Sequence, residues 1–274
     1  MGTLYIVATP LGNLEDITYR AVRILKEVPL IAAEDTRTAK VLRDHYQITT
    51  PLISFHDFSS TQKLQELLAK LLEGDLALIS DAGTPGINDP GYNLVRGALA
   101  ENHRVVPVPG PSAPIAALSA SGQAPDSFYY FGYLPRKSKA RQDLLTEVKS
   151  CSSTLIFLET PHRLVEALED ILAVLGDRKM TAAREMTKIH EEFVRGQVDQ
   201  VLTHFTREKP RGEITLVIEG ADEEDLKWTE GKVLTALQEA QQAGESSPSQ
   251  ISKEIARQSG WPRRVIYDLL NDLK

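Results

Sequence analysis

The first 121 residues alternate between short apolar segments and longer segments with a helical period. The apolar segments lie at residues 3–9, 30–33, 76–80 and 104–109. Each is short, rich in β-branched residues and bounded by Gly, Pro or polar residues, as is typical of a buried strand. Strands that are apolar on both faces and alternate with helices form parallel sheets covered on both sides. The pattern predicts an N-terminal α/β domain over residues 1–121, with Asp16 capping its first helix.

A second α/β domain is predicted over residues 122–221. Its candidate strands lie at 128–134, 154–159, 180–184, 192–194 and 214–219, with helices near 140–149, 163–175 and 198–207. The strands come closer together toward the end of this segment. Adjacent parallel strands need long crossover connections, so this spacing predicts a mixed sheet.

Residues 222–274 are predicted to form a helical tail. An acidic stretch at 222–225 marks a linker, and breaks at 244–248 and 260–262 divide the helical pattern. An apolar-faced helix, a glycine turn and a further helix resemble a helix–turn–helix unit, in which Arg263 and Arg264 would contact RNA. A helical hairpin that packs on a domain or on a dimer partner fits the same pattern.

The unusual residues of the N-terminal domain follow its strands. They are Pro10-Leu-Gly-Asn13, Glu34-Asp-Thr-Arg37, the segment 81–91 and Gly110-Pro-Ser112. Ligands of open α/β sheets bind outside the carboxyl ends of the strands. The sequence therefore predicts a ligand site at this edge of the sheet.

The segment 81–91 has three glycines and two prolines, which favour a bent loop whose backbone can approach a ligand closely. Asp81 and Asp89 could accept hydrogen bonds there. Alternatively, the loop is a structural turn and Asp89 caps the next helix. The turn after the first strand lacks G-x-G-x-x-G and carries Pro10. It therefore suits an uncharged or zwitterionic ligand better than a dinucleotide.

Two charged clusters are candidates for chemistry. Glu34, Asp35 and Arg37 form either a substrate-facing group or a helix cap with a surface ion pair. Arg184 and Glu185 follow another apolar strand and fit recognition of a phosphate or ribose, or a solvated loop. Arg211-Gly212-Glu213, before the last strand, is a similar case.

Net charge and amino-acid composition limit the classes of molecule that this protein is expected to bind. The net charge of −7 argues mildly against nucleic acid, unless a local basic patch is present. Residues 128–141 supply one by placing basic residues after aromatic ones. Its candidate RNA contacts are Arg136, Lys137, Lys139 and Arg141; the alternative is a core strand followed by an exposed loop.

The single cysteine excludes an internal disulfide, and the six histidines lack metal-site spacing. We therefore expect no metal site. Because the sequence has no apolar segment long enough to span a membrane and no export signal, we also expect a cytoplasmic protein.

Together these segments resemble the tetrapyrrole methylase superfamily, and within it the branch that methylates ribosomal RNA. The resemblance rests on residues 5–17, 33–37, 80–91, 108–112, 157–163, 183–185 and 212–220, in this order. Tetrapyrrole-acting members have Gly-Asp-Pro where this chain has Gly83-Thr-Pro85, and a Gly-rich first loop. Both departures weigh against a porphyrinoid substrate.

The resemblance implies two α/β domains with S-adenosylmethionine (SAM) folded in the cleft between them, and a homodimer. It further implies SAM contacts, largely through backbone groups, at Leu11, Thr84, Ile87, Ser112, Ala113, Leu158, Ala183 and Thr215. Pro10, Asp81, Gly83 and Gly212 lie in the same segments and complete the expected cofactor site.

The activity implied by the resemblance is methylation of a ribose 2′-hydroxyl of a cytidine in 16S RNA of the small ribosomal subunit. The hydroxyl needs a nearby base or polarising cation, for which Glu34, Asp35, Arg37, Arg184 and Glu185 are candidates. Two alternatives stay open at this point: a methyltransferase acting on a tetrapyrrole, and a non-catalytic RNA-binding protein on an enzyme scaffold.

Overall fold

Two five-stranded sheets and a C-terminal group of helices make up the molecule. The structure is a computed structural model, and it describes residues 2–56, 60–222, 227–243 and 247–273. The α/β class, with two sheets and a helical C-terminus, is confirmed. The predicted linker at 222–225 and the break at 244–248 lie largely outside the described residues.

The first sheet is entirely parallel, with the order β3-β2-β4-β1-β5. Its strands are β1 (Thr3–Val7), β2 (Leu30–Ala33), β3 (Leu52–Ser54), β4 (Leu76–Ile79) and β5 (Arg104–Val108). The sequence pattern predicted four of these strands and missed β3. That strand has three residues, and so short a segment carries no detectable period.

Five helices belong to this segment of the chain, and the first four cover the two faces of the sheet. They are α1 (Tyr19–Glu27), α2 (Thr36–His45), α3 (Thr61–Glu73), α4 (Tyr92–Ala100) and α5 (Ala113–Ser121). The predicted cap at Asp16 is wrong, because that residue ends a 3-10 turn, Leu14–Asp16. Thr18 caps α1 instead, and its hydroxyl accepts a hydrogen bond of 3.1 Å from the backbone of Ala21.

The second sheet is mixed, as predicted, with the order β6-β7-β10-β8-β9. Its strands are β6 (Phe128–Tyr133), β7 (Thr154–Glu159), β8 (Lys179–Arg184), β9 (Glu192–Gln197) and β10 (Ile214–Ile218). Only β6 and β7 pair in parallel. The helices α6 (Ser138–Glu147), α7 (Leu164–Leu175) and α8 (Val198–Arg207) follow in the same segment.

The two sheets are joined through α5, which belongs to the first segment of the chain but packs on the second sheet. Ala117 and Leu118 of this helix share an apolar cluster with Ile156, Ala183 and Val217. The opposite face of the second sheet packs against α7 and α8. A buried aliphatic side chain contributes about 1.5–3 kcal/mol, so these clusters hold the start of α5 firmly against the second sheet.

The C-terminal helices form a small unit with its own core. They are α9 (Glu230–Ala243), α10 (Pro248–Ser259) and α11 (Arg263–Asp272). Val233, Leu237, Ile255, Ile266 and Leu270 are among the side chains buried between them. Gly260 ends α10 in the left-handed conformation, which agrees with the turn that the sequence predicted. Within the described part of the chain, no helix has the length and apolarity that crossing a membrane requires.

Candidate active site

A cavity of about 280 Å³ lies where the loops of the first sheet meet the second sheet and α5. It is lined by Leu11, Glu34, Asp81, Ala82, Gly83, Thr84, Ile87, Asn88, Asp89, Ser112, Ala113, Pro114, Tyr130, Tyr133, Leu158, Met186, Glu213, Ile214 and Thr215. The first sheet contributes the carboxyl ends of its strands, as expected of an open α/β sheet.

Most residues of the expected cofactor set line this cavity. They are Leu11, Asp81, Gly83, Thr84, Ile87, Ser112, Ala113, Leu158 and Thr215. Pro10, Ala183 and Gly212 do not line it. Ala183 is buried in β8 opposite Thr215, while Pro10 and Gly212 directly precede lining residues. The structure thus brings together segments more than 200 residues apart, and their contact with a cofactor stays a prediction.

The loops after β1 and β4 are tied together at the cavity wall. The backbone groups of Thr9 and Gly83 exchange two hydrogen bonds, of 2.8 and 3.0 Å. Gly83 has a φ of +81°, a backbone conformation that other residues adopt at a cost. The hydroxyl of Thr84 donates a hydrogen bond of 3.0 Å to the carbonyl of Pro111. These contacts hold the glycine-rich loop rigidly beside the start of α5.

Ser112, Ala113 and Pro114 at the start of α5 line the cavity, and of the three only Pro114 lacks a backbone N–H. Ser112 is the N-cap residue and its side chain makes no capping hydrogen bond. The first N–H groups of a helix lack partners within the helix and carry partial positive charge. The arrangement suits the carboxylate end of a zwitterionic ligand.

Four neighbouring carboxyl groups give the cavity an acidic wall. Glu34, Asp81, Asp89 and Glu213 all line it. The carboxylate of Glu34 accepts a hydrogen bond of 3.2 Å from the backbone of Asp81, and the carboxylate of Asp81 accepts one of the same length from the backbone of Asp35. Burial raises the pKa of Asp81. Such a group of carboxylates favours positive charge and hydroxyl or amino donors.

Asp89 is the lining residue whose acidity is most altered. Burial, and then the charge of Glu34, raise its pKa to about 7, while a hydrogen bond from Ser80 opposes the shift. The alternative role as a helix cap is wrong, because α4 begins at Tyr92 and its cap is Gly91. Sequence reasoning identified Asp89 as an acceptor but did not include it among the catalytic candidates. What distinguishes Asp89 is its raised pKa, which depends on burial and on distant residues and cannot be predicted from the local sequence.

Two tyrosines of β6 also line the cavity and were not predicted. Burial, followed by the nearby charge of Asp89, raises the pKa of Tyr130 to about 12. Burial and the charge of Glu213 raise the pKa of Tyr133 as well. Both phenols are therefore neutral at physiological pH and can act as hydrogen-bond donors or aromatic surfaces.

Of the five catalytic candidates, only Glu34 lines the cavity. Asp35 caps α2, accepting a hydrogen bond of 2.8 Å from the backbone of Arg37. Its carboxylate also pairs with the Arg37 guanidinium, which lowers the pKa of Asp35 to about 2. The cap with a surface ion pair, one of the two interpretations of this segment, is thus confirmed. Arg37 is 90% exposed beside the acidic wall.

Arg184 and Glu185 line a different cavity on the outer side of β8. Nε of Arg184 lies 2.8 Å from Oε2 of Glu192, and Nζ of Lys188 lies 2.8 Å from Oε1 of Glu185. Burial raises the pKa of Glu185, but hydrogen bonds from Lys188 and the backbone of Glu213, together with the charges of Lys188 and Arg184, outweigh burial and lower the pKa. Both candidates therefore take part in ion pairs outside the cavity that Glu34 lines.

A group of potential metal ligands lies in the same outer cavity. Single ligand atoms of Glu192, His204 and Glu208 lie within 4.8 Å of one another. The i, i+4 spacing of His204 in α8 and Glu208, which directly follows this helix, was the available sequence signal, but the third ligand comes from β9. The ion pair of Arg184 with Glu192 already supplies positive charge at this position.

The predicted RNA contacts separate into two groups. Arg136, Lys137 and Lys139 are exposed, as are Arg263 and Arg264 in the C-terminal unit. Arg141 is buried and its guanidinium pairs with Asp170, so the prediction that it contacts RNA is wrong. Arg141 lies on the face of α6 that packs against α7, where Asp170 is located.

Comparison with protein families agrees with the fold. A model of the Tetrapyrrole (Corrin/Porphyrin) Methylases matches residues 3–202, which include the first sheet, four of the five strands of the second sheet and the first half of α8. The chain belongs to this family. The resemblance recognised in the sequence is therefore confirmed.

Similar proteins carry a more specific name. A Synechocystis sp. protein named Ribosomal RNA small subunit methyltransferase I is 47% identical over 277 residues, covering 100% of this chain and 99% of that protein. The Escherichia coli O157:H7 protein of the same name is 50% identical over 243 residues, with 86% and 85% covered. The Thermotoga maritima protein of that name is 49% identical over 223 residues, which cover 81% of this chain and 100% of that protein.

Solved structures share the fold at low sequence identity. The methyltransferase CobJ superposes with a TM-score of 0.61 at 17% identity, covering 81% of this chain and 95% of that one. The cobalt precorrin-4 methyltransferase CbiF gives a TM-score of 0.60 at 15% identity, with 79% and 94% covered. At these identities the likeness concerns the architecture alone.

Proposed function

We propose that this protein transfers a methyl group from SAM to RNA of the small ribosomal subunit, at the ribose 2′-hydroxyl of a cytidine. The relatives' names support the substrate class, and family membership supports the donor. The observation that carries the proposal is the cavity between the sheets, which combines backbone donors, an apolar wall and four carboxylates. The nucleotide and the 2′-hydroxyl rest on the resemblance of the sequence motifs.

The cavity fits the chemical groups of SAM. The start of α5 suits its carboxylate, and the acidic wall suits its ammonium group and ribose hydroxyls. Leu11, Ile87 and Leu158 provide apolar surface for a purine ring. The volume of about 280 Å³ is near the lower end for ligand sites, in keeping with a folded ligand conformation. When bound, SAM supplies an electrophilic methyl group on a positively charged sulfonium.

Asp89 is our candidate for the base. A ribose hydroxyl becomes a good nucleophile only as its proton leaves, and a base is most effective when its pKa lies near the working pH. The carboxylate of Asp89, with a pKa of about 7, meets this requirement. In this scheme the Asp89 carboxylate would accept the proton of the ribose hydroxyl as its oxygen takes the methyl group, and the sulfonium of SAM would leave as a neutral thioether. Glu34 raises the basicity of Asp89 through its charge, so it is a positioning residue in this scheme.

Exposed cations beside the cavity would hold the RNA backbone. Arg37 lies next to the acidic wall, and Arg136 and Lys137 follow the cavity-lining Tyr133 by three and four residues. These cations compensate locally for the net charge of −7, which by itself disfavours RNA. We propose that Arg263 and Arg264 add a second contact from the C-terminal unit.

The assembly and location follow as further parts of the proposal. Ribosomal RNA as a substrate implies that the protein acts in the cytoplasm. The homodimer implied by the family resemblance stays a prediction, which light scattering on the purified protein would test.

Methyl transfer by the purified protein tests the proposal directly. Labelled SAM is offered with small ribosomal subunits or naked 16S RNA from cells that lack the enzyme, with the Asp89→Asn variant as a matched control. We expect label in RNA as a 2′-O-methylated cytidine, and none with the variant. Transfer to precorrins but not to RNA would replace the proposal with a small-molecule methyltransferase. A protein that binds RNA but not SAM would be a non-catalytic binder.

A further inference from the structure

The two tyrosines of β6 that line the cavity should not share a face. Tyr130 and Tyr133 are three residues apart, and side chains alternate between the faces of a regular strand. The pairing with β7 explains the exception, because Tyr130 lies opposite Ile156 and Tyr133 lies opposite Leu158. Three steps along β6 thus span two steps along β7. This β-bulge turns Tyr133 into the cavity beside Tyr130.

Gly132 makes the bulge possible. It is buried, with a φ of +69°, which disfavours any residue with a side chain. A Cβ atom at this position would clash with the side-chain amide of Asn88. Asn88 itself has a φ of +62° and directly precedes Asp89. The bulge is therefore fitted against the loop that carries the candidate base.

The ring of Tyr133 is available to a ligand. Its residue is 49% exposed although it lines the cavity, so the ring lies at the opening. Tyr129, which is 54% exposed on the same strand, stacks on Phe131 and does not line the cavity. The bulge has thus placed a half-covered aromatic ring at the cavity opening, on the same side as Asp89.

We infer that Tyr133 stacks on the base of the acceptor nucleotide, so that the bulge at Gly132 positions the substrate as well as the cavity wall. This inference rests on the proposed function. Proteins that recognise single-stranded RNA commonly hold unpaired bases stacked against aromatic side chains. With the base on Tyr133, the attached ribose lies on the cavity side of the ring, toward Asp89. The recognised group is an unpaired nucleobase of RNA.

The test compares Tyr133→Phe, Tyr133→Ala and Tyr129→Ala in methyl transfer to RNA, with SAM binding measured by calorimetry. Stacking on an aromatic ring is lost in Tyr133→Ala, so its KM for RNA should rise roughly 5- to 100-fold. Its SAM affinity should be unchanged. Tyr133→Phe keeps the ring and should stay within about twofold of the wild type. Tyr129→Ala is the matched control, because it removes an exposed ring of the same strand outside the cavity.

The possible results distinguish a failure of the stacking role from a failure of the proposed function. A wild-type KM in Tyr133→Ala, in a protein that methylates RNA, would overturn the stacking role alone. A loss of turnover in Tyr133→Phe with unchanged KM would assign the function to the hydroxyl and also overturn it. Absence of transfer to RNA by the wild-type protein would overturn the proposed function, and this inference with it. An equal rise in KM in Tyr129→Ala would show that any exposed ring of β6 contributes, contrary to the inference.

Discussion

The guanidinium of Arg141 lies 2.6 Å from Oδ2 of Asp170, and the two side chains are almost entirely withdrawn from solvent. Ser138 and Gln142 donate further hydrogen bonds to the same carboxylate. Burial alone would raise the pKa of Asp170, but these donors outweigh it and lower that pKa. The pair joins α6 to α7, immediately behind the basic loop that precedes α6. A cation selected from the sequence as an RNA contact is therefore a structural element of the second sheet's helical layer.

Removing either member of this pair should destabilise the protein without affecting RNA. Arg141→Ala leaves a buried carboxylate unpaired, so we expect a loss of about 3–5 kcal/mol in the free energy of unfolding, measured in urea. The neighbouring exposed residue gives the contrast. Arg136→Ala should change stability by no more than about 0.5 kcal/mol. It should, however, weaken RNA binding. The slope of the logarithm of the RNA-binding constant against the logarithm of salt concentration should become smaller in magnitude by about 1, because one phosphate contact is lost. A stable Arg141→Ala protein with weakened RNA binding would reverse these assignments.

Asp89→Asn should abolish most methyl transfer. The amide occupies the same volume but cannot accept a proton, and general-base catalysis contributes roughly 10²- to 10⁴-fold. The kcat/KM of the wild-type protein should rise with pH through an apparent pKa near 7, because Asp89 must be ionised in the free protein to accept a proton. Calorimetry should show SAM binding retained. Asp44→Asn, in an exposed position of α2, is the control and should behave as wild type. Full activity of the Asp89→Asn variant would exclude this base.

The same carboxyl group should influence stability. The pKa of Asp89 is raised from 3.8 to about 7, so the folded state binds its proton more tightly than the unfolded state does. The stabilisation is complete below pH 3.8 and is lost as the pH rises through 7. Asp89→Asn removes the ionisation and should be more stable than the wild type at pH 8, by about 1 kcal/mol after allowing for partial solvation. Unfolding in urea at pH 5 and pH 8 measures the difference, which should shrink at pH 5.

Arg37→Ala should impair the use of RNA and spare the cofactor. The guanidinium is exposed beside the cavity and does not line it. We expect a severalfold loss of methyl transfer at limiting RNA, with SAM affinity unchanged in calorimetry. Arg23→Ala, which removes an exposed arginine of α1, is the matched control. If SAM affinity fell together with activity, Arg37 would belong to the cofactor site instead.

The C-terminal unit should contribute RNA affinity but not the chemical step. Its helices pack on one another, and the family match ends at residue 202, before the unit begins. Replacing both Arg263 and Arg264 by Ala should weaken RNA binding and lower its salt slope by about 2, while turnover at saturating RNA persists. Arg257→Ala, an exposed arginine of α10 paired with Glu254, is the control. A change in molecular mass with unchanged RNA binding would favour the alternative, in which this unit contacts a partner copy.

Periodic patterns determined the class of the fold and the edge at which ligands would bind. β1, β2, β4 and β5 were predictable because each is a continuous apolar run, and the loops after them carry Gly, Pro and acidic residues. The parallel order then brings their carboxyl ends to one edge. Asp35 as the cap of α2 was equally accessible, since capping depends on neighbouring residues.

The tertiary structure alone decided which side chains share the site. Arg184 ends the strand that carries Ala183 and Glu185 directly follows it, yet both line a different cavity. Tyr133 enters the site because a bulge shifts the strand register, and Asp89 acquires its pKa from burial and from Glu34, which is 55 positions away in the chain. Arg141 is withdrawn from the surface by Asp170 on another helix. Periodicity and capping are set by neighbours along the chain, whereas burial, register and charge are set by residues that only folding brings together.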